Sequence, residues 1–121
     1  MNTHDHTSYA NILLSRGIKT LEKNTPLWKL KLTDVEYNGL KQTLKEHENN
    51  LSCYGMEAAL CYAEWWRRDY KGNIPSKEDV ATGIGINTDN AEGLYKAARN
   101  ALKKRGYTFI GNVAKSSWFF D

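Results

Sequence analysis

Cysteine is scarce in this chain: only Cys53 and Cys61 occur among 121 residues. They stand eight apart in or beside one expected helix, about 12 Å along its axis, beyond the reach of a disulfide. The pair reads as two buried free thiols in a reducing compartment. Proline is equally rare, and Pro26 and Pro75 both fall at expected breaks between elements. No apolar run approaches the roughly 20 residues that span a bilayer. Met1-Asn2-Thr3-His4-Asp5-His6 has neither the basic nor the apolar region of a signal peptide. These absences argue against a membrane span and a disulfide scaffold, and the chain reads as cytoplasmic.

Signatures of catalysis are also missing. Gly83-Ile84-Gly85 lacks the third glycine and the preceding strand of a phosphate loop. No Cys/His or Ser/His pairing suggests an activated nucleophile. Of His4, His6 and His47, the first two flank Asp5 in a polar terminus without fixed geometry, so no dedicated metal site is expected. The expectation is a protein with no enzymatic activity, no cofactor and no metal. Charge of one sign is weak as well. Lys and Arg total 17 against 14 Asp and Glu, a net charge of +3, so its distribution matters more than its size.

What is present is an ordinary globular composition, 40% apolar and 26% charged, in a chain long enough to bury a core. Residues 1–8 read as a flexible terminus and 9–121 as a single helical domain. The expected fold is mainly α, with about five helices, a helix-turn-helix-like C-terminal half and a short C-terminal β-hairpin. Residues 9–23 carry Ile12, Leu13, Ile18 and Leu21 on a helical stripe that Gly17 weakens. From Trp28 to Leu32 the apolar side chains alternate, the pattern of a short strand. Thr33-Asp34-Val35-Glu36 forms a capping box for a helix to about Glu48, with Val35, Leu40 and Leu44 as its stripe, Tyr37 beside it and Asn49-Asn50 as its end. The segment from Tyr54 to Tyr70 is apolar almost all round in its first half and reads as the central helix, with Gly72 as its cap. Ser76 is the expected N-cap of a helix from Lys77 to about Gly83. A longer helix runs from about Asp89 or Asn90 to Arg105.

Residues 77–105 resemble a helix-turn-helix. Ala81 supplies the small residue at a close crossing, Gly85 supplies the positive φ of the turn, and Ile86, Ala91 and Leu94 pin the second helix. If residues 108–120 form a hairpin, the whole resembles a winged helix. Basic charge gathers here, for residues 91–121 carry six cations and two anions. Lys96, Arg99 and Lys103 share one face, with Lys104 and Arg105 following, and such a stripe suits phosphates. Lys-Lys-Arg at a helix C-terminus also suits the helix dipole, so a merely solvated face fits the same spacing. Asp89, Asn90 and Glu92 occupy the turn that would meet base edges.

Trp65-Trp66-Arg67-Arg68 is the other unusual constellation. Adjacent indoles point about 100° apart on a helix. One of them can therefore be core and the other a surface platform beside Arg67 and Arg68. Both rings can equally be core, with the arginines paired to Glu64 and Asp69. The stretch from Tyr62 to Tyr70, with Gly72 and the helix after Pro75-Ser76, resembles the N-terminal region of large bacterial proteins of phage-defence and mobile-element islands. That resemblance covers residues 55–110. It implies bacterial or phage origin and an accessory or recognition role, and it supplies no site residues.

Two functions follow as expectations. One is a nucleic-acid-binding accessory or regulatory protein that contacts DNA or RNA phosphates through Lys96, Arg99, Lys103, Lys104 and Arg105, with Arg67 and Arg68 adding to them. The other is a protein-interaction module, a small subunit or regulator in a phage-defence or counter-defence complex. It would dock a larger protein through Trp65, Trp66 and the tail Trp118-Phe119-Phe120.

Overall fold

A computed structural model describes residues 7–19, 27–69, 76–106, 109–110 and 113–114. The described chain is mainly α. Its helices are α1 (Tyr9–Ser15), α2 (Asp34–Glu46), α3 (Gly55–Asp69), α4 (Lys77–Ile84) and α5 (Ala91–Lys104). Short 3-10 segments cover Leu27–Leu30, Glu48–Tyr54 and Thr88–Asn90. Strands β1 (Phe109–Ile110) and β2 (Val113–Ala114) pair antiparallel, Phe109 with Ala114 and Ile110 with Val113. Two residue pairs do not establish a wing. The rest of the hairpin expected over residues 108–120 lies outside the described residues, as do residues 1–6 and the Gly72 cap.

Local side-chain chemistry sets the helix starts. The Thr33 hydroxyl accepts from the Glu36 amide at 3.1 Å, and Glu36 accepts from the Thr33 amide at 2.9 Å, closing the expected capping box of α2. Ser76 and Asp79 do the same for α4. Gly85 ends α4 at φ +94°, where a side chain would be strained. Its amide donates to the Thr82 carbonyl at 3.1 Å and the Ile86 amide to the Ala81 carbonyl at 2.8 Å. That is a Schellman closure, and it buries Ile86.

Several expectations need correction. The first helix stops at Ser15 rather than running to Lys23. Gly17 turns left-handed at φ +68°, and the Ile18 amide caps back to the Leu13 carbonyl at 2.9 Å. Residues 27–32 are not a strand. Leu27 and Leu30 stack at the three-residue spacing of a 3-10 turn, Lys31 takes a positive φ of +47°, and all three leucines (Leu27, Leu30, Leu32) are buried. The period-2 pattern arose because this turn, like a strand, points Leu30 and Leu32 into the core. Val35 lies in the first turn of α2 at 81% exposure, so the buried stripe there is Tyr37, Leu40, Thr43 and Leu44. Cys61 is buried as expected, whereas Cys53 is exposed on the 3-10 segment.

One hydrophobic core joins all five helices. Its axis is α3, buried from Gly55 to Glu64 except for Glu57. Against it packs α5 through Ala91, Leu94, Ala97, Ala98, Ala101 and Leu102. Small side chains at this crossing let the two backbones approach closely. A Cβ on Gly55 would stand 2.5 Å from the Ala101 Cβ and 2.6 Å from the Ala97 carbonyl oxygen.

Glu48 ties the α4–α5 turn to the 3-10 segment after α2. Its carboxylate accepts from the Asn87 amide at 2.6 Å and the Asn90 side-chain amide at 3.2 Å, and it pairs with Lys45 at 3.1 Å. The Asn87 amide foremost, then Lys45 and Asn90, hold its carboxyl below the ordinary value of 4.5. A group whose folded value is depressed stabilises the fold above its unfolded value and loses that contribution as pH falls through the folded one. Thermal melts of the wild type should therefore drop more steeply below about pH 4.5 than those of Glu48→Gln. Parallel acid limbs would show that Glu48 carries none of this tie.

Candidate functional site

Beside the crossing of α3 and α5 lies an open groove of about 1430 Å3. The sequence places it there for a packing reason. Gly55, Ala97 and Ala101 lack bulk, so the helices close up and leave a trough above them, floored also by Leu51 and Met56. One wall is the exposed face of α5, with Lys96, Asn100, Lys103 and Lys104. The facing wall is the exposed edge of the 3-10 segment, with Asn49, Asn50, Ser52 and Cys53. Asp89 and Asn90 line the groove near the start of α5, and Tyr9 and Arg105 line it near the end.

The cations of the α5 wall are not equivalent. Lys96 reaches Glu92 at 3.2 Å, and Glu92 also holds Lys77 at 3.1 Å, which keeps the Glu92 carboxyl below its ordinary value. Arg105 lies over the Tyr9 ring at 5.3 Å. Burial, partly offset by Arg105, raises the Tyr9 hydroxyl above its usual range. Lys103 and Lys104 are exposed and make no ion pair among the described residues. Two of the three carboxylates that line the groove are already engaged. Glu48 holds the α4–α5 turn, and Glu57 accepts from the Tyr9 amide at 2.8 Å.

Not every residue singled out in the sequence meets here. Lys96, Lys103, Lys104 and Arg105 line the groove, whereas Arg99 is half-buried and does not. Arg67 and Arg68 sit elsewhere, on the carboxylate of Glu64. Glu64 is only 2% exposed. It accepts from Arg67, from the Arg68 Nε at 2.6 Å and from the Leu32 amide at 2.9 Å. Arg68 goes on to Asp34 at 2.7 Å and the Leu32 carbonyl at 3.1 Å, and lies over the Tyr37 ring at 4.8 Å. This network clamps the 27–32 turn and the start of α2 onto α3. Trp65 and Trp66 are both half-buried and meet edge to face with ring centroids 6.5 Å apart. Trp65 packs on the core beside Gly83. Trp118, Phe119 and Phe120 lie outside the described residues.

Sequence reasoning missed the second wall. Asn49-Asn50 reads as a helix stop, yet the chain continues through Tyr54 as a 3-10 segment that projects polar side chains. The only signal was a polar run broken by a single apolar residue, Leu51, which is the one that turns inward. His47, singled out among the histidines, stacks on Tyr54 at 4.3 Å. Among the described residues no three metal-ligating side chains come together. No helix of the described residues is long and apolar enough to cross a membrane.

A family model described as the YjiT N-terminal domain matches residues 3–110. No curated protein and no solved structure matches the chain. With the family model spanning nearly all of its length, the chain belongs to the YjiT N-terminal domain family.

Proposed function

We propose that this chain is a nucleic-acid-binding accessory module with no catalytic step of its own, and that the groove beside α5 is its binding site. The observation that carries the reading is that Lys96, Lys103 and Lys104 line one wall of an open groove, two of them free of ion pairs among the described residues. A row of cations at helical spacing suits successive phosphates, which release their counterions on binding. Arg105 closes the row. Arg99 and the Glu64-bound Arg67 and Arg68 are not part of it. Ala81, Ile86, Ala91 and Leu94 of the α4–Gly85–α5 segment are buried, which is compatible with the helix-turn-helix reading. Its first α5 turn is occupied by Glu92 and its lysine partners, so the contact we propose is to backbone phosphates rather than to base edges through that turn. An N-terminal domain that recognises nucleic acid also fits the phage-defence and mobile-element setting suggested by residues 55–110. The interaction-module reading has less support, since both indoles of Trp65 and Trp66 are half-buried.

The test is binding to a labelled random-sequence nucleic acid across a salt series. Three phosphate contacts give a slope of log affinity against log salt of about −2 on a single strand and about −3 on a duplex. The triple variant Lys96→Glu, Lys103→Glu, Lys104→Glu should lose at least about a hundredfold in affinity at low salt while melting within about 2 °C of the wild type, because these are exposed positions. Wild-type affinity in that variant removes the proposal.

A further inference from the structure

The two walls of the groove differ in chemistry, and the difference bears on what kind of nucleic acid fits. This step rests on the nucleic-acid reading above. The α5 wall is cationic. The opposite wall, from Glu48 to Cys53, contains no cation and one carboxylate, Glu48, which is committed to Asn87, Asn90 and Lys45. It offers amides and a hydroxyl instead. The side chains of Asn49 and Ser52, and of Asn100 on the α5 wall, make no hydrogen bond among the described residues. Asn50 accepts from the Cys53 thiol at 3.5 Å, which leaves its amide nitrogen to donate. Between the walls lie the small residues Gly55, Ala97 and Ala101.

A duplex presents two phosphate rows flanking each of its grooves, and it is read by an element that projects outward into the major groove. Here the lysines of α5 line one side of a groove, and a second phosphate row would meet the uncharged side chains and Glu48 on the other side. A single strand has one phosphate row and, on its other side, unstacked bases with free hydrogen-bonding edges. Laid along the groove, its phosphates meet Lys96, Lys103 and Lys104 and its bases meet Asn49, Asn50 and Ser52, over the small-residue floor. We infer that the groove takes single-stranded nucleic acid, phosphates to the α5 wall and base edges to the Asn49–Ser52 wall.

The experiment compares three fluorescent probes on the whole chain at one low salt concentration: a mixed-sequence single strand of about 20 nucleotides, the same sequence as a duplex, and poly-glutamate of similar length. The single strand should bind at least about tenfold more tightly than either of the others. The double variant Asn49→Ala, Asn50→Ala should lose about tenfold on the single strand with an unchanged salt slope, because it removes base contacts and no phosphate contact. Lys103→Glu, by contrast, should make that slope shallower. Duplex bound as tightly as single strand overturns this inference and leaves the nucleic-acid reading standing. Poly-glutamate bound as tightly as single strand overturns both, since the groove would then hold any acidic chain. An unchanged single-strand affinity in the asparagine variant, with its melting temperature kept, overturns the assigned orientation of the strand.

Discussion

Glu64→Ala should destabilise the protein by about 3 kcal/mol, a fall of about 10 °C in melting temperature. The argument is one of stranded partners. Glu64 is buried and accepts from three donors, the Leu32 amide, Arg67 and Arg68. Removing a carboxylate that satisfies buried donors leaves them short of partners, which costs more than the same bonds gained on forming. The Leu32 amide is the most exposed to this penalty, because Leu32 is itself buried. Arg67 and Arg68 are partly solvated, at 35% and 29% side-chain exposure, so water replaces much of what they lose. That is why the expected figure lies at the low end for a broken buried pair. Glu64→Gln keeps an acceptor for Leu32 and should lose roughly half as much. Chemical denaturation of the three proteins checks the ordering, and an alanine variant as stable as the wild type would mean the network holds nothing. The binding we propose for the α5 groove should survive in the folded fraction, since Arg67 and Arg68 do not line the groove.

Gly55→Val should cost about as much, roughly 3 kcal/mol or more, for the opposite reason. The site has no room. An added Cβ alone meets the Ala101 Cβ at 2.5 Å and the Ala97 carbonyl oxygen at 2.6 Å, and the latter belongs to the backbone of α5 and cannot rotate aside. The two helices would have to separate along a contact that includes Leu94, Ala98 and Leu102. Because the same crossing floors the groove, the nucleic-acid binding we propose for it should also weaken in the surviving folded protein. Gly93, on α5, is the control. Nothing lies within 4 Å of a Cβ there, so Gly93→Ala should stabilise the protein by about 0.5–1 kcal/mol through helix propensity. Equal melting temperatures for Gly55→Val and wild type would show that the crossing is looser than its geometry states.

Much of the helical framework was legible in the chain itself. Thr33 with Glu36, Ser76 as N-cap, and Gly85 four residues after Ala81 are local devices, and each acts within a few residues of itself. Apolar periodicity likewise identified α3 as the central helix, because a helix buried on nearly every side must be apolar on nearly every side. The misreadings share a cause. Alternation in residues 28–32 fits both a strand and a 3-10 turn whose leucines all face one core. The choice depended on Glu64, more than thirty residues away, accepting from the Leu32 amide. Val35 obeys helical spacing, yet among the described residues nothing covers it and it stays exposed.

The candidate site divides in the same way. Sequence alone determined a cationic stripe on α5, since Lys96, Arg99 and Lys103 share a helix face wherever that helix sits, although Arg99 does not line the groove. It determined the left-handed turn at Gly85 as well, because only local backbone sterics are involved. Only the tertiary structure decided which cations remain available. Arg67 and Arg68 are bound to a buried carboxylate, Arg99 is half-buried, and Lys103 and Lys104 face open space. The existence of a groove was also a tertiary decision. It follows from the closeness with which Gly55 lets α3 approach Ala97 and Ala101, and from Leu51 turning inward so that Asn49, Asn50 and Ser52 stand as a second wall. Contacts between residues some forty positions apart leave no periodic trace in a sequence, because each partner satisfies its own local rules whether or not the other is there.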